Sequence, residues 1–250
     1  MEVRMKLDFK KVSNKFNSRI VKSAAILLLS ASVFTIARTP LSAAESAFMV
    51  PPATQLEAVD ASAKLETAVV AGGCFWGVQA VFQHLNGVQS AVSGYAGGKV
   101  DTADYEAVSS GTTGHAESVK ITFNHNVINY ATILQVYYSV AHNPTELNRQ
   151  GPDSGTQYRS EIFAQTEAQK QVAEAYINQL GKSAVFQAPI VTKVEIANSF
   201  FPAENYHQDY ATLHPEEPYI AFNDLPKLKN LKGQFPSLYR AKPVLVGRAG

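Results

Sequence analysis

This chain of 250 residues has one cysteine, Cys74, so no disulfide can form within it. It has almost no net charge: 22 Lys and Arg against 21 Asp and Glu leave +1, which argues against a nucleic-acid or polyanionic partner. It has no apolar run of the roughly 20 residues that a bilayer span requires. The stretch Ala24 to Ala37 is too short, and none of that size follows, so no membrane span is expected in the mature chain. Metal-ligand spacing is also missing. His207 and His214 could share one helical face in YHQDYATLH, but no third ligand accompanies them and zinc is not expected. Internal repeats and low-complexity tracts are absent.

What is present begins with a basic segment, MEVRMKLDFKKVSNKFNSRIVK, then the apolar run AAILLLSASVFTIA, then small residues ending at Ala44. That order reads as a secretory signal peptide over 1–44. The alternatives are an uncleaved membrane anchor and an organellar transit peptide, the second disfavoured by Glu2 and Asp8. The expected location is therefore exported, periplasmic or otherwise extracytoplasmic. An exported protein usually pairs its cysteines, so a single one is an intermolecular partner or a reactive thiol.

Residues 45–65, rich in Ala, Pro and polar side chains, read as a flexible lead-in. From residue 66 the pattern tightens. TAVVAGG is a short buried strand stopped by glycines, and CFWGVQAVFQHLNG follows with Val78, Val81, Phe82 and Leu85 at helical spacing. Further strands are expected in VQSAVSGYAGG, SVKITFN, YRSEIFA and IVTKVEIA. Helices are expected over Ala131 to Ala141, from the Thr166-Glu-Ala-Gln169 capping pattern to about Leu180, and near Ala203 to Leu213. Residues 216–250 read as a tail without strong periodicity. Strands alternating with helices imply an α/β or α+β fold, a two-layer sandwich of helices on a sheet, in one domain over 66–215. A monomer is the default.

Cys74 falls at the strand-to-helix junction, where unpaired N–H groups and the helix dipole should lower its pKa below the usual value of about 8.5. Gly72 and Gly73 beside it would let a substrate approach the backbone. Phe75 and Trp76 could wall a pocket for a small apolar group or simply fill the core. Glu117, in GTTGHAES, would act as a general acid if partly desolvated. Tyr105 and Tyr158 could donate hydrogen bonds to a developing oxyanion, or be packing residues. Asp153, in GPDSG, is a turn former unless its loop is functional.

Taken together, GGCFWG at 72–77, GYAGG at 94–98, DYEAV at 104–108, GHAESV at 114–119, GPDSGTQYRS at 151–160 and FFPAENYHQDY at 200–210 resemble, in that order, peptide methionine sulfoxide reductases of the A class. The resemblance implies a ferredoxin-like sandwich on a mixed sheet and reduction of methionine S-sulfoxide, free or within oxidised peptides and proteins. It implies that Cys74 attacks the sulfoxide sulfur, that Glu117 protonates the oxygen, and that Tyr105 and Tyr158 hydrogen-bond it. Phe75 and Trp76 would hold the methyl group, Asp153 would orient substrate and water, and Tyr206 and His207 would contribute to substrate binding. Many relatives carry a resolving cysteine near the C-terminus, and LKGQFPSLYRAKPVLVGRAG has none. With no bound cofactor implied, the expected reductant is an external thiol: thioredoxin-like, glutaredoxin-like or small.

Two rivals remain at this stage. A cysteine hydrolase would pair Cys74 with His115 or His207 and need no reductant. A non-catalytic domain binding oxidised peptides would keep the fold without depending on the thiol.

Overall fold

A computed structural model describes residues 47–57, 64–197 and 199–247. The expected signal peptide lies outside the described residues. Strand β1 (Leu65–Ala71) forms from the apolar run before the glycines. It pairs antiparallel with β3 (Ala116–Asn124) over its whole length, from Leu65↔Asn124 to Ala71↔Ser118. On its other side it pairs antiparallel with β6 (Glu161–Ala164). Strand β2 (Val88–Ala96) flanks β3, also antiparallel.

Helix α1 (Phe75–Gln83) links β1 to β2, and α3 (Tyr130–Val136) follows β3 on the way to β6. The order β6-β1-β3-β2 with these connections is the split βαβ arrangement of ferredoxin-like folds. The expected α/β sandwich on a mixed sheet is thus what forms. Helix α4 (Glu167–Lys182) carries the chain over to β7 (Lys193–Ile196), the one strand that joins in parallel, as a parallel neighbour requires a crossover. Strand β8 (Phe200–Pro202) closes the other edge against β2.

Helix α1 is buried on nearly all sides, as befits a helix with apolar residues around most of its circumference. One side meets β2 and β3. The other meets helix α6 (Leu225–Gln234) and the π-helical turn Ile220–Asp224 before it. Helix α3 continues past Val136 as a π-helical turn, Tyr137–Ala141. The Tyr137 hydroxyl there donates to the Ala71 carbonyl at 2.6 Å, fixing the end of β1 just ahead of the cysteine.

Three expectations need correction. The lead-in is not loose between residues 47 and 57. Phe48 packs on Phe186 with ring centroids 4.7 Å apart, Val50 is buried, and Tyr176 donates to the Pro51 carbonyl at 2.6 Å. The helix expected over Ala203 to Leu213 is instead a 3-10 turn at Asn205–His207 followed by the short α5 (Tyr210–Leu213), with Asp209 between them at φ 61°. Buried polar contacts break it. Gln208 bonds both backbone groups of Ser93, and the Asp209 N–H donates to Gln79 at 2.9 Å.

The tail folds as well. After α6 the chain straps the far end of α1: Arg240 N–H donates to the His84 carbonyl at 2.8 Å and Val244 N–H to the Gln83 carbonyl at 3.1 Å. Its helix was hard to read because a lysine, Lys227, takes a buried position beside Leu231, which weakens the apolar stripe.

Candidate active site

The turn from β1 to α1 sets the geometry. A side chain at Gly72 would come within 2.7 Å of the His142 ring, and one at Gly73 (φ +83°) within 2.7 Å of Gln150. These glycines make room for the protein's own side chains, which corrects the expectation that they open the backbone to substrate. Gly77 has the same explanation: its missing Cβ would lie 2.0 Å from an oxygen of Asp224. Cys74 is the N-cap residue of α1 and is buried.

A cavity of about 190 Å³ opens beside it, lined by Cys74, Phe75, Trp76, Tyr105, Glu117, Asp153, Tyr158 and Tyr219. A larger hollow of about 560 Å³ lies at the end of α4, but no comparable set of reactive groups faces it. The helix α2 (Tyr105–Ser109) presents Tyr105. The Asp104 side chain caps its start by accepting from Ala107 N–H at 2.9 Å, and Glu204 accepts from Tyr105 N–H at 2.9 Å. Tyr158 ends a 3-10 turn, Thr156–Tyr158, and its carbonyl accepts from Gly73 N–H at 3.2 Å. The two-residue strands β4 (Arg149–Gln150) and β5 (Asp153–Ser154) form the ladder that holds Asp153.

Glu117 is the most deeply buried carboxyl group in the cavity lining. It is 3% exposed, and one oxygen accepts from Phe75 N–H at 3.0 Å. Burial pushes its pKa up to about 8 against the relief from that N–H, and nearby Asp153 and Asp224 push in the same direction. At neutral pH the carboxyl therefore keeps its proton. Tyr105 and Tyr158 are also pushed up, first by burial and then by Glu117, so both remain hydroxyl donors.

Cys74 departs from expectation. Its thiol lies well above the usual value, because burial and then the carboxylates of Glu117 and Asp224 outweigh the hydrogen bond from Trp76 N–H. The helix N-terminus supplies its donor, but removing water costs the thiolate more.

Phe75 and Trp76 form the apolar wall. Phe75 is fully buried, its ring 5.9 Å from Tyr95. Trp76 stacks on Tyr210 at 4.0 Å and donates through Nε1 to His207 Nδ1 at 3.2 Å. Neither Tyr206 nor His207 lines the cavity. His207 is buried behind it, with its ring 4.4 Å from Tyr105, and supports the wall. Tyr206 is 61% exposed and lies on the outer side of His207, rings 4.2 Å apart.

Tyr219 was not foreseen. It comes from EEPYIAF in the supposed tail, sets its ring edge-on to Trp76 at 6.0 Å, and donates its hydroxyl to Asp153. The only hint was an apolar, aromatic run after Pro218. Beneath it, Asp224 and Lys227 form a buried pair at 3.5 Å.

The hydrolase rival loses its base. His115 is engaged by the Lys99 carbonyl at 2.9 Å and by Gly98 N–H at 3.2 Å, His207 accepts from Trp76 at Nδ1, and neither ring lines the cavity that holds Cys74. Among the described residues no cluster of three or more ligating side chains could hold a metal ion, and no helix is long and apolar enough to cross a membrane.

Three comparisons bear on the chain. A family model described as peptide methionine sulfoxide reductase matches residues 66–238. A protein named peptide methionine sulfoxide reductase MsrA 2 from Mesorhizobium japonicum is 64% identical over 181 residues, which is 72% of this chain and 93% of that protein. One of the same name from Synechocystis is 45% identical over 192 residues, covering 76% of this chain and 90% of the relative. Among solved structures, Mxr1 from Saccharomyces cerevisiae in reduced form superposes with a TM-score of 0.57 at 31% identity, over 64% of this chain and 91% of that one. Methionine sulfoxide reductase A of Corynebacterium diphtheriae gives 0.52 at 28% identity, over 68% and 85%.

Proposed function

The chain belongs to the peptide methionine sulfoxide reductase family and is an oxidoreductase acting on methionine sulfoxide; from that premise we propose that Cys74 takes the sulfoxide oxygen as a sulfenic acid, with Glu117 managing the proton. The observation that carries this reading is a carboxyl group kept protonated at neutral pH in the same cavity as the only thiol. A sulfoxide oxygen is a strong acceptor and a poor leaving group, so sulfur attack needs an acid beside it.

Glu117 passes its proton to the sulfoxide oxygen, and the carboxylate so formed takes the thiol proton that burial had held on Cys74. The thiolate attacks sulfur, the oxygen ends as the Cys74 sulfenic acid, and methionine departs. Tyr105 and Tyr158 donate to the oxygen while its charge grows. The Phe75 and Trp76 wall accepts the methyl group, Asp153 orients the substrate, and the S epimer at sulfur is the one reduced. The sulfenic acid is the first reversible rung of cysteine oxidation, and with one cysteine in the chain an external thiol must clear it. The natural substrates on this reading are oxidised proteins awaiting repair, peptides and free methionine sulfoxide. Export is supported by the order of basic, apolar and small residues over 1–44 and is tested by the N-terminus of the mature protein.

The deciding experiment offers each sulfoxide epimer separately, with and without dithiothreitol, to the chain lacking residues 1–44. Turnover of the S epimer alone, dependent on thiol and lost in Cys74→Ser, is expected. Thiol-independent turnover, or no conversion by folded protein, would remove the reading.

A further inference from the structure

Cys74 borders two cavities. The first is the sulfoxide pocket. The second is much smaller, about 10 Å³, and reaches the same residue between Pro152, Asn223 and Lys227. Asp153 and Tyr219 line both, and the hydrogen bond from the Tyr219 hydroxyl to Asp153 makes them the partition between the two. Pro152 is exposed and Asn223 half-buried, so the second cavity meets the surface. Its volume is at the lower limit for one water molecule, so a thiol sulfur enters it by widening the mouth between Pro152 and Asn223.

Displacement at a divalent sulfur is collinear: the attacking sulfur enters on the side opposite the departing oxygen. In the reaction proposed above, the sulfenic oxygen remains where Glu117, Tyr105 and Tyr158 held it, inside the first cavity. Entry by the same mouth would bring the thiol in beside its own leaving group. We propose that the second cavity is the thiol subsite, by which an external thiol reaches Cys74 across the Asp153–Tyr219 partition; this rests on the sulfenic acid reading.

The balance is simple. A thiolate bonds to the Cys74 sulfur and the S–O bond breaks. The hydroxyl leaves as water with the proton of Glu117, giving a mixed disulfide. A second thiol then releases reduced Cys74 and the oxidised disulfide. Lys227, buried and paired with Asp224 at 3.5 Å, forms part of the wall of this cavity. Asn223 stands at its mouth, held by a hydrogen bond from its side chain to the Tyr219 carbonyl at 2.9 Å, and it does not line the sulfoxide pocket.

The test separates the two half-reactions. Reduced protein is given methionine S-sulfoxide without thiol, and methionine is counted. Dithiothreitol is then added, and loss of the sulfenic oxygen is timed by intact mass. Asn223→Phe should lower the second-order rate constant for dithiothreitol by about tenfold, whereas Asn223→Ala should raise it a few-fold, because access to the sulfur governs thiol exchange. Each should still release one methionine per chain. Equal rate constants in wild type and Asn223→Ala would overturn the subsite even if Asn223→Phe failed to fold. If wild type released no methionine in the first stage, the reductase reading itself would fall.

Discussion

The cavity has two walls of different origin. One is assembled from residues 74 to 158, on the sheet, on α1 and in the loops between them: Cys74, Phe75, Trp76, Tyr105, Glu117 and Tyr158. The other, Tyr219 with Asp224 and Lys227 below it, comes from a segment that wraps α1 from outside. The first wall carries the groups to which the proposed mechanism gives a proton role, foremost Glu117, which burial keeps protonated to about 8. The second holds its charges in partnership: Lys227 restrains Asp224, which burial nonetheless pushes up to about 6. On the mechanism proposed above one wall reacts and the other frames, and substitutions should reveal that division.

Cys74→Ser should abolish turnover outright, since no second cysteine exists to replace it. Glu117→Gln should slow methionine formation in a single turnover by roughly 10²-fold or more, the scale of a positioned general acid, with substrate affinity nearly kept. In wild type that rate should fall as pH rises past about 8, where Glu117 loses its proton; a rate flat to pH 10 would contradict the role.

The same group makes a stability prediction. Glu117 holds its proton to about 8 when folded, against 4.5 as its ordinary value. Folding therefore takes up a proton between those limits, and wild-type stability declines as pH rises through that window. Glu117→Gln lacks this dependence, so its melting temperature should gain on wild type between pH 5 and pH 9.

Trp76→Ala should weaken substrate binding by about tenfold through lost aromatic contact; unchanged KM would assign the ring to packing alone. Tyr219→Phe keeps the ring and loses only the hydrogen bond to Asp153, so a drop of about fivefold in kcat/KM is expected, the value of one hydrogen bond. A loss as large as that from Glu117→Gln would erase the distinction between the walls. Tyr206→Ala, on the outer side of His207, should change neither kcat nor KM beyond about twofold, as for most surface positions.

The reacting wall was readable in the sequence because its residues sit in short segments with strong local signals: a buried strand ending in glycines, a helix beginning at a cysteine, and a clean alternation that places Glu117 at the start of β3. The framing wall was not. Tyr219 acts through a fold-back that no local pattern announces, and α6 buries Lys227 where a helix would normally bury an apolar residue. The thiol's high pKa was equally hidden. The dipole argument holds locally, but the three carboxyl groups that oppose it come from residues 117, 153 and 224, far apart in the chain. His207 looked like a pocket residue because it adjoins a motif, whereas its burial shows that it serves Trp76 and Tyr105 from behind.

The strap formed by residues 238–246 also bears on engineering. It is tied to Gln83, His84 and Asn86, at the opposite end of α1 from Cys74. The nine helical residues of α1 separate the two ends by about 14 Å, about twice the span of about 7 Å that a disulfide tolerates between Cα atoms. Grafting a cysteine onto Val244 or Val246 would therefore not create a self-recycling catalyst. A designer seeking one would have to release the strap and lead the chain back along the helix, giving up the contacts that hold its C-terminal end.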